Sequence, residues 1–215
     1  MYQAFFFDFD GVLVDSVEVK TRAFASLFEP YGPDVVQKVI DHHRDNGAMT
    51  RVEKFRIYYR EFLGLPLIDS ELRSLCDRFA ALVVDEVIAA PEIPGAEQFV
   101  KNHFSVVPCF IVSATPDEEI KLIVRRRGWT RYFRGIHGAP ATKRDILNSI
   151  LSRNAFSTDR CLYFGDAEGD LRAAEACGVN FLGIVPGPHA PLLKAAPGIP
   201  WVTDFSSINL SLSKD

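Results

Sequence analysis

The apolar positions along this chain fall into two textures. Phe5-Phe6-Phe7 is an unbroken aromatic run that stops at Asp8, and a run this short with no polar alternation predicts a wholly buried strand. From Ser16 the spacing turns helical and stays so to about Ala90. Ser16 is placed to cap a helix reaching about Phe28, which Pro30, Gly32 and Pro33 end, and Asp34 to His43 predicts a second. Thr50 opens a third through Arg51 to Leu63, closed by Gly64 and Pro66, and Asp69 or Ser70 starts a fourth that reaches about Ala89.

Pro91 and Pro94-Gly95 punctuate the return to strands. Helices are predicted at 96–103, 117–127, 143–153 and 171–177, alternating with short apolar strands at 106–112, 135–137, 160–165 and 180–185. Such alternation predicts an α/β fold with a doubly wound, mostly parallel sheet covered on both faces. The helical stretch is then an insert: residues 1–14 and 91–215 form the α/β core, and 15–90 a helical domain inserted after the first core strand. The segment from Pro186 to Pro200, rich in Pro, Gly and Ala, is expected to run over the surface. Trp201 to Phe205 is expected to add an edge strand, and Leu210 to Asp215 to fray.

Composition narrows the classes of function. Of 215 residues, 47% are hydrophobic, enough for one sizeable core with a smaller attached domain. A formal charge of −4 and a pI near 5.8 offer no basic face to nucleic acid or to an anionic membrane, so the expected partner is a small soluble ligand. The longest apolar stretch, Ala80 to Ala90, is interrupted by Asp85 and Glu86 and falls short of the about twenty residues that span a bilayer. Cys76, Cys109, Cys161 and Cys177 lack paired zinc spacing and read as reduced thiols, and the N-terminus lacks the basic-then-apolar pattern of a secretion signal. A cytoplasmic location is the expectation.

Candidate chemistry gathers at predicted strand ends, where ligands bind in sheets of this kind. Asp8 and Asp10 stand two residues apart, on one side of the chain if the strand continues that far, and Gly11 lets the backbone turn away. Two such carboxylates repel unless a cation sits between them or one keeps a proton, which points to a hard metal such as Mg²⁺. The other reading is a pair of turn acids capping the next segment. Ser113 ends the second core strand and is not needed for the helix start that Thr115, Pro116 and the acids after them make. Lys143 and Arg144 open a helix with the wrong sign for its dipole, as does Arg51 at the end of the polar loop 42–51. Asp166, Glu168 and Asp170 put three acids within five residues at another strand end, either for a metal or for the helix dipole.

The string Asp8-Phe9-Asp10-Gly11-Val12-Leu13-Val14-Asp15-Ser16 resembles the first signature of the haloacid-dehalogenase-like superfamily, in the phosphatase and phosphoglucomutase branch with a small helical cap. Ser113, Lys143 and Gly165-Asp166-Ala167-Glu168-Gly169-Asp170 match its later signatures in order. The resemblance implies a Rossmann-like core and a set of roles. Asp8 attacks phosphorus, Asp10 shuttles protons and begins as the acid, and Ser113 and Lys143 hold the phosphoryl group. Mg²⁺ is held by Asp8, the backbone carbonyl of Asp10, and Asp166, with Asp170 acting indirectly. The implied activity is a Mg²⁺-dependent phosphatase that hydrolyses a small phosphorylated metabolite through an aspartyl-phosphate. A sugar phosphomutase shares the same core chemistry, and a phosphate-binding module without catalysis is the reading from a different class. A dehalogenase would lack Asp10, and a phosphonate-cleaving relative would need a lysine in the cap and small residues where Phe9-Asp10 stands. By analogy with helical caps, Arg51 is expected to contact a second group of the substrate.

Overall fold

The computed structural model describes residues 1–208, so the expected fraying of Leu210 to Asp215 falls outside the described residues. Strand β1 (Ala4–Phe7) has all four side chains buried, with Phe5 and Phe7 in one apolar cluster and Ala4 and Phe6 in another on the opposite face. That is the two-residue period of a strand covered on both sides. Each fully buried Phe contributes about 1.5–3 kcal/mol by leaving water.

Helices α1 (Val17–Phe28), α2 (Pro33–Asp45), α3 (Arg51–Ile57) and α4 (Asp69–Ala89) follow, with a π-helical segment, Tyr58–Leu63, extending α3. The ends follow local rules. Thr50 forms a capping box with Glu53, and Gly64 stops the π-segment at φ 65. Ser16, by contrast, occupies the N-cap position of α1 without making a cap bond. Phe24, Phe55 and Phe79 lock α1, α3 and α4 together, the Phe24 and Phe79 centroids lying 4.3 Å apart. The chain returns beside its point of departure, where the Asp15 amide donates to the Pro91 carbonyl at 3.0 Å and the Ile93 amide to the Leu13 carbonyl at 3.1 Å.

Helix α5 (Ala96–His103) leads to β2 (Cys109–Pro116), followed by α6 (Asp117–Arg126), β3 (Gly135–Ala139), α7 (Lys143–Asn154), β4 (Cys161–Gly165), α8 (Glu168–Ala176), β5 (Asn180–Ile184), α9 (Pro191–Ala195) and β6 (Trp201–Val202). The sheet runs β3-β2-β1-β4-β5-β6 with every pairing parallel. From β1 the chain winds outward one way through β2 and β3 and the other way through β4 to β6. The crevice at this reversal, beyond the carboxyl ends of β1, β2 and β4, is where such sheets bind ligands.

Two expectations are corrected. β2 starts at Cys109, where pairing with Phe5 begins, and continues through Thr115 to Pro116, so Thr115 belongs to the strand and caps nothing. The segment 186–200 does not merely cross the surface, because α9 buries Leu192 and Leu193 against the cluster around Phe6. Just past α6, one guanidinium nitrogen of Arg127 donates to the carbonyls of Val87, Ile88 and Ala90, satisfying the C-terminal end of α4.

Candidate active site

β1 ends at Phe7, so Asp8 and Asp10 do not continue it side by side. They enter two different sets of contacts. The Asp8 amide donates to the Phe164 carbonyl at 2.9 Å, which fixes the nucleophile candidate against β4. Gly11 adopts φ +79, and a Cβ there would lie 2.3 Å from Asp166 Oδ2, so glycine both makes the turn and leaves room for the acid.

Asp8, Asp166 and Asp170 each offer a carboxylate oxygen within 4.8 Å of the others. Lys143 lies among them, with Nζ 2.8 Å from Asp8 Oδ2 and 2.5 Å from Asp170 Oδ1. Its position at the start of α7 is thus compensated by two acids across the crevice. Burial would lower its amine, but the Asp170 and Asp8 carboxylates hold it well above the ordinary value. Asp170 is fully buried; its Oδ1 also accepts from Tyr163 Oη at 2.9 Å and its Oδ2 from the Ala167 amide at 3.2 Å. Burial, with the neighbouring acids, pushes the Asp166 carboxyl well up. For Asp8, burial and the Asp170 and Asp10 charges outweigh Lys143 and bring the carboxyl up to about 7. Hard oxygen donors crowded this closely, at a cost to their own ionisation, are a donor set for a divalent cation.

That crowding has a measurable consequence. A carboxyl that holds its proton more tightly folded, at about 7, than unfolded, near 4, stabilises the protein below about pH 4 and loses that contribution as pH rises to 7. In chelator, the melting temperature of the Asp8→Asn variant is therefore expected to gain on that of the wild type as pH rises from 4 to 7. Parallel melting curves across this window would remove the raised carboxyl from Asp8.

Asp10 faces the other way. Ser16 Oγ donates to Asp10 Oδ1 at 2.6 Å, Thr115 Oγ1 lies 3.1 Å from Oδ2, and Lys20 Nζ pairs with Oδ2 while standing 2.8 Å from Thr115 Oγ1. Burial alone would raise this carboxyl, but the Lys20 ammonium and the two hydroxyls bring it below its ordinary value. Asp10 is therefore a carboxylate here, whereas an acid was expected. Ser16, Lys20 and Thr115 were not singled out for chemistry from the sequence; the one local signal is that Ser16 and Lys20 lie one helical turn apart on the same side of α1. Ser113 is 1% exposed and accepts the Thr115 amide at 3.1 Å, so its own proton stays free to donate. From β2 it is Ala114 and Thr115 that line the cavity.

The cavity is about 50 Å³ and lies between these strand ends and the helices α1 to α4. Small residues let the two sides meet. A Cβ on Gly169 would come 2.6 Å from the Ala48 Cβ, and one on Gly47 would come 3.2 Å from the Ala167 Cβ, so the loop before α3 rests on the turn after Asp166 and on the first turn of α8, which carries Asp170. Arg51 lines the cavity but is buried in an ion pair with Glu119 of α6 and lies 4.6 Å from the Phe79 ring centroid. Its charge at the helix start is compensated by the core. Lys54, which was not singled out, is 2% exposed and has Nζ 2.7 Å from His43 Nδ1. Burial, with the nearby Lys20 ammonium, lowers its amine to about 7, while burial and Lys54 push His43 down to about 2. Of the two features that phosphonate cleavage requires, the structure thus supplies a lysine in the helical insert, while Phe9-Asp10 still stands where small residues are needed.

Among known proteins, the family model described as haloacid dehalogenase-like hydrolase matches residues 5–184. A phosphoglycolate phosphatase of Pseudomonas fluorescens is 25% identical over 206 residues, covering 90% of this chain and 74% of that protein. One from Synechococcus elongatus is 27% identical over 184 residues, covering 82% and 81%. Among solved structures, CbbY from Rhodobacter sphaeroides in complex with xylulose-(1,5)bisphosphate superposes with a TM-score of 0.76 at 16% identity, covering 96% of each chain. A β-phosphoglucomutase from Clostridium difficile gives 0.76 at 20% identity, covering 95% and 92%.

Proposed function

Because the chain belongs to the haloacid dehalogenase-like hydrolase family, we propose that it is a Mg²⁺-dependent phosphatase that hydrolyses a small phosphorylated metabolite through an aspartyl-phosphate on Asp8. The observation that carries this reading is the Asp8 carboxylate, paired with Lys143 at one corner of a three-acid cluster and lining the cavity. Residues 15–90 act as a cap over a core formed by 1–14 and 91–215. Four free cysteines fit a cytoplasmic setting.

In the first step an Asp8 oxygen attacks phosphorus, the bond to the leaving oxygen breaks, and that oxygen takes a proton. Lys143 neutralises the nucleophile and the incoming phosphoryl oxygens, and Ser113 donates its free proton to one of them. In the second step water attacks phosphorus, the bond to Asp8 breaks, and phosphate leaves. Asp10, held as a carboxylate by Lys20, Ser16 and Thr115, is the base for that water. For the first step Asp10 must itself take up a proton from solvent as its pair with Lys20 opens; it gives that proton to the leaving oxygen and so returns to the carboxylate that serves as base in the second step. Asp8 and Asp166, with the Asp10 carbonyl, would hold the metal; Asp170, its oxygens taken by Lys143, Tyr163 and Ala167, steadies the site indirectly. When bound, Mg²⁺ supplies charge neutralisation between the acids and the phosphate. A base already ionised near Asp8 favours hydrolysis over the phosphomutase alternative, which needs a phosphoenzyme that survives water.

Phosphate release from a panel that includes 2-phosphoglycolate, the substrate named for the relatives above, tests this. Release is expected with Mg²⁺ and to be lost in chelator. Equal release under both conditions, or none with any phosphate monoester, would overturn the reading.

A further inference from the structure

The cations around the cavity are not equivalent. Lys20 faces Asp10, Lys143 is shared by Asp8 and Asp170, and the Arg51 guanidinium is held by Glu119. Lys54 is the exception: among the described residues no carboxylate pairs with it, and its contacts are His43 Nδ1 at 2.7 Å and the Phe24 ring, 5.6 Å from Nζ to the centroid. A neutral imidazole accepts one hydrogen bond and balances no charge. Burial without a carboxylate partner leaves this amine only partly charged at neutral pH, the more distant Asp166 and Asp10 charges offsetting burial in part, and an anion placed beside it would hold it as an ammonium; an apolar side chain would fill the space beside Phe24 without the cost of burying a polar group. Lys54 also lines the cavity, projecting into it from α3, whereas Asp8 lines it from the end of β1.

We propose that Lys54, oriented by His43, binds a second anionic group of the substrate, a carboxylate or a second phosphate, a few bonds from the phosphoryl group on Asp8. Arg51, the cation expected to do this, is committed to Glu119 and ties the cap to the core. The cavity, about 50 Å³ with the cap in this position, suits a short acid phosphate. The inference rests on the phosphatase reading for what occupies the Asp8 end, but not for the Lys54 contact itself.

Three probes differ only at the far end: 2-phosphoglycolate carries a carboxylate, ethanediol bisphosphate a second phosphate, and ethyl phosphate neither. The wild type is expected to prefer at least one of the first two over ethyl phosphate in kcat/KM. In Lys54→Met that preference ratio is expected to fall about 10²-fold, because the truncated contact leaves the substrate anion unpaired. Which of the two acid probes shows the fall identifies the anion. Met is apolar and of similar length, so the variant should melt no lower than the wild type without ligand. A preference ratio unchanged in a folded Lys54→Met, or no preference in the wild type, would overturn the proposal. Binding separates this from the phosphatase reading. In the Asp8→Asn background, 2-phosphoglycolate or the bisphosphate should raise the melting temperature, and Lys54→Met should abolish that shift. If the wild type turns over no phosphate monoester yet this Lys54-dependent shift appears, the phosphatase reading fails and the Lys54 site stands; if no shift appears with either acid probe, the Lys54 site falls.

Discussion

Asp8→Asn is expected to lower kcat by at least about 10³-fold while leaving the fold intact. The amide has the shape of the carboxylate but is a far weaker nucleophile, and it still offers an oxygen to Lys143 Nζ, which stands 2.8 Å from Asp8 Oδ2 in the wild type. The variant also relieves the repulsion among Asp8, Asp166 and Asp170, whose oxygens lie within 4.8 Å of one another. Loss of turnover should therefore come with equal or higher stability in chelator, a combination that misfolding cannot produce. Retention of more than about one hundredth of wild-type kcat, with reversion to Asp excluded by mass, would remove Asp8 from the nucleophile role.

Lys143→Met is expected to cost about 10²–10³-fold in kcat, by removing the one side-chain cation that touches Asp8 among the described residues. The loss has a direction in pH as well. Lys143 lowers the Asp8 carboxyl against burial and the neighbouring acids, so without it that carboxyl rises further above about 7. As the proposed nucleophile, Asp8 would attack only when ionised, so the acidic limb of the kcat/KM profile should move to higher pH. Asp170 loses the same partner and remains fully buried, so this variant, unlike Asp8→Asn, should also melt lower than the wild type. A kcat within tenfold of wild type, with an unmoved acidic limb, would return Lys143 to a structural role.

Much of this site was legible because its signatures are contiguous. Asp8 to Ser16 and Gly165 to Asp170 each lie within a single turn or strand end, and the apolar run before each marks where it sits in the sheet. The misplaced charges at Arg51 and Lys143 were also legible as anomalies. What compensates them was not. Thr115, with Pro116 and three acids behind it, satisfies every local rule for a helix cap, yet β2 runs on past it and its hydroxyl reaches Asp10, 105 residues away in the chain. Ser16 likewise has the chemistry of a cap and gives its proton to Asp10 instead. In both, a tertiary partner won over the local backbone.

By itself the sequence determined the class of fold, the order of helices and strands, and the acids at the crevice, because periodicity, capping and turn formation are settled within a few residues. It did not determine which cation meets which anion. Lys20, Arg51, Lys54 and Lys143 are alike as letters in helical stretches, and ionic interactions depend on distance and burial across elements that only folding brings together. The tertiary structure decided that Lys143 serves Asp8, that Lys20 holds Asp10 ionised, that Arg51 is spent on Glu119, and that Lys54 is left in the cavity without a carboxylate partner.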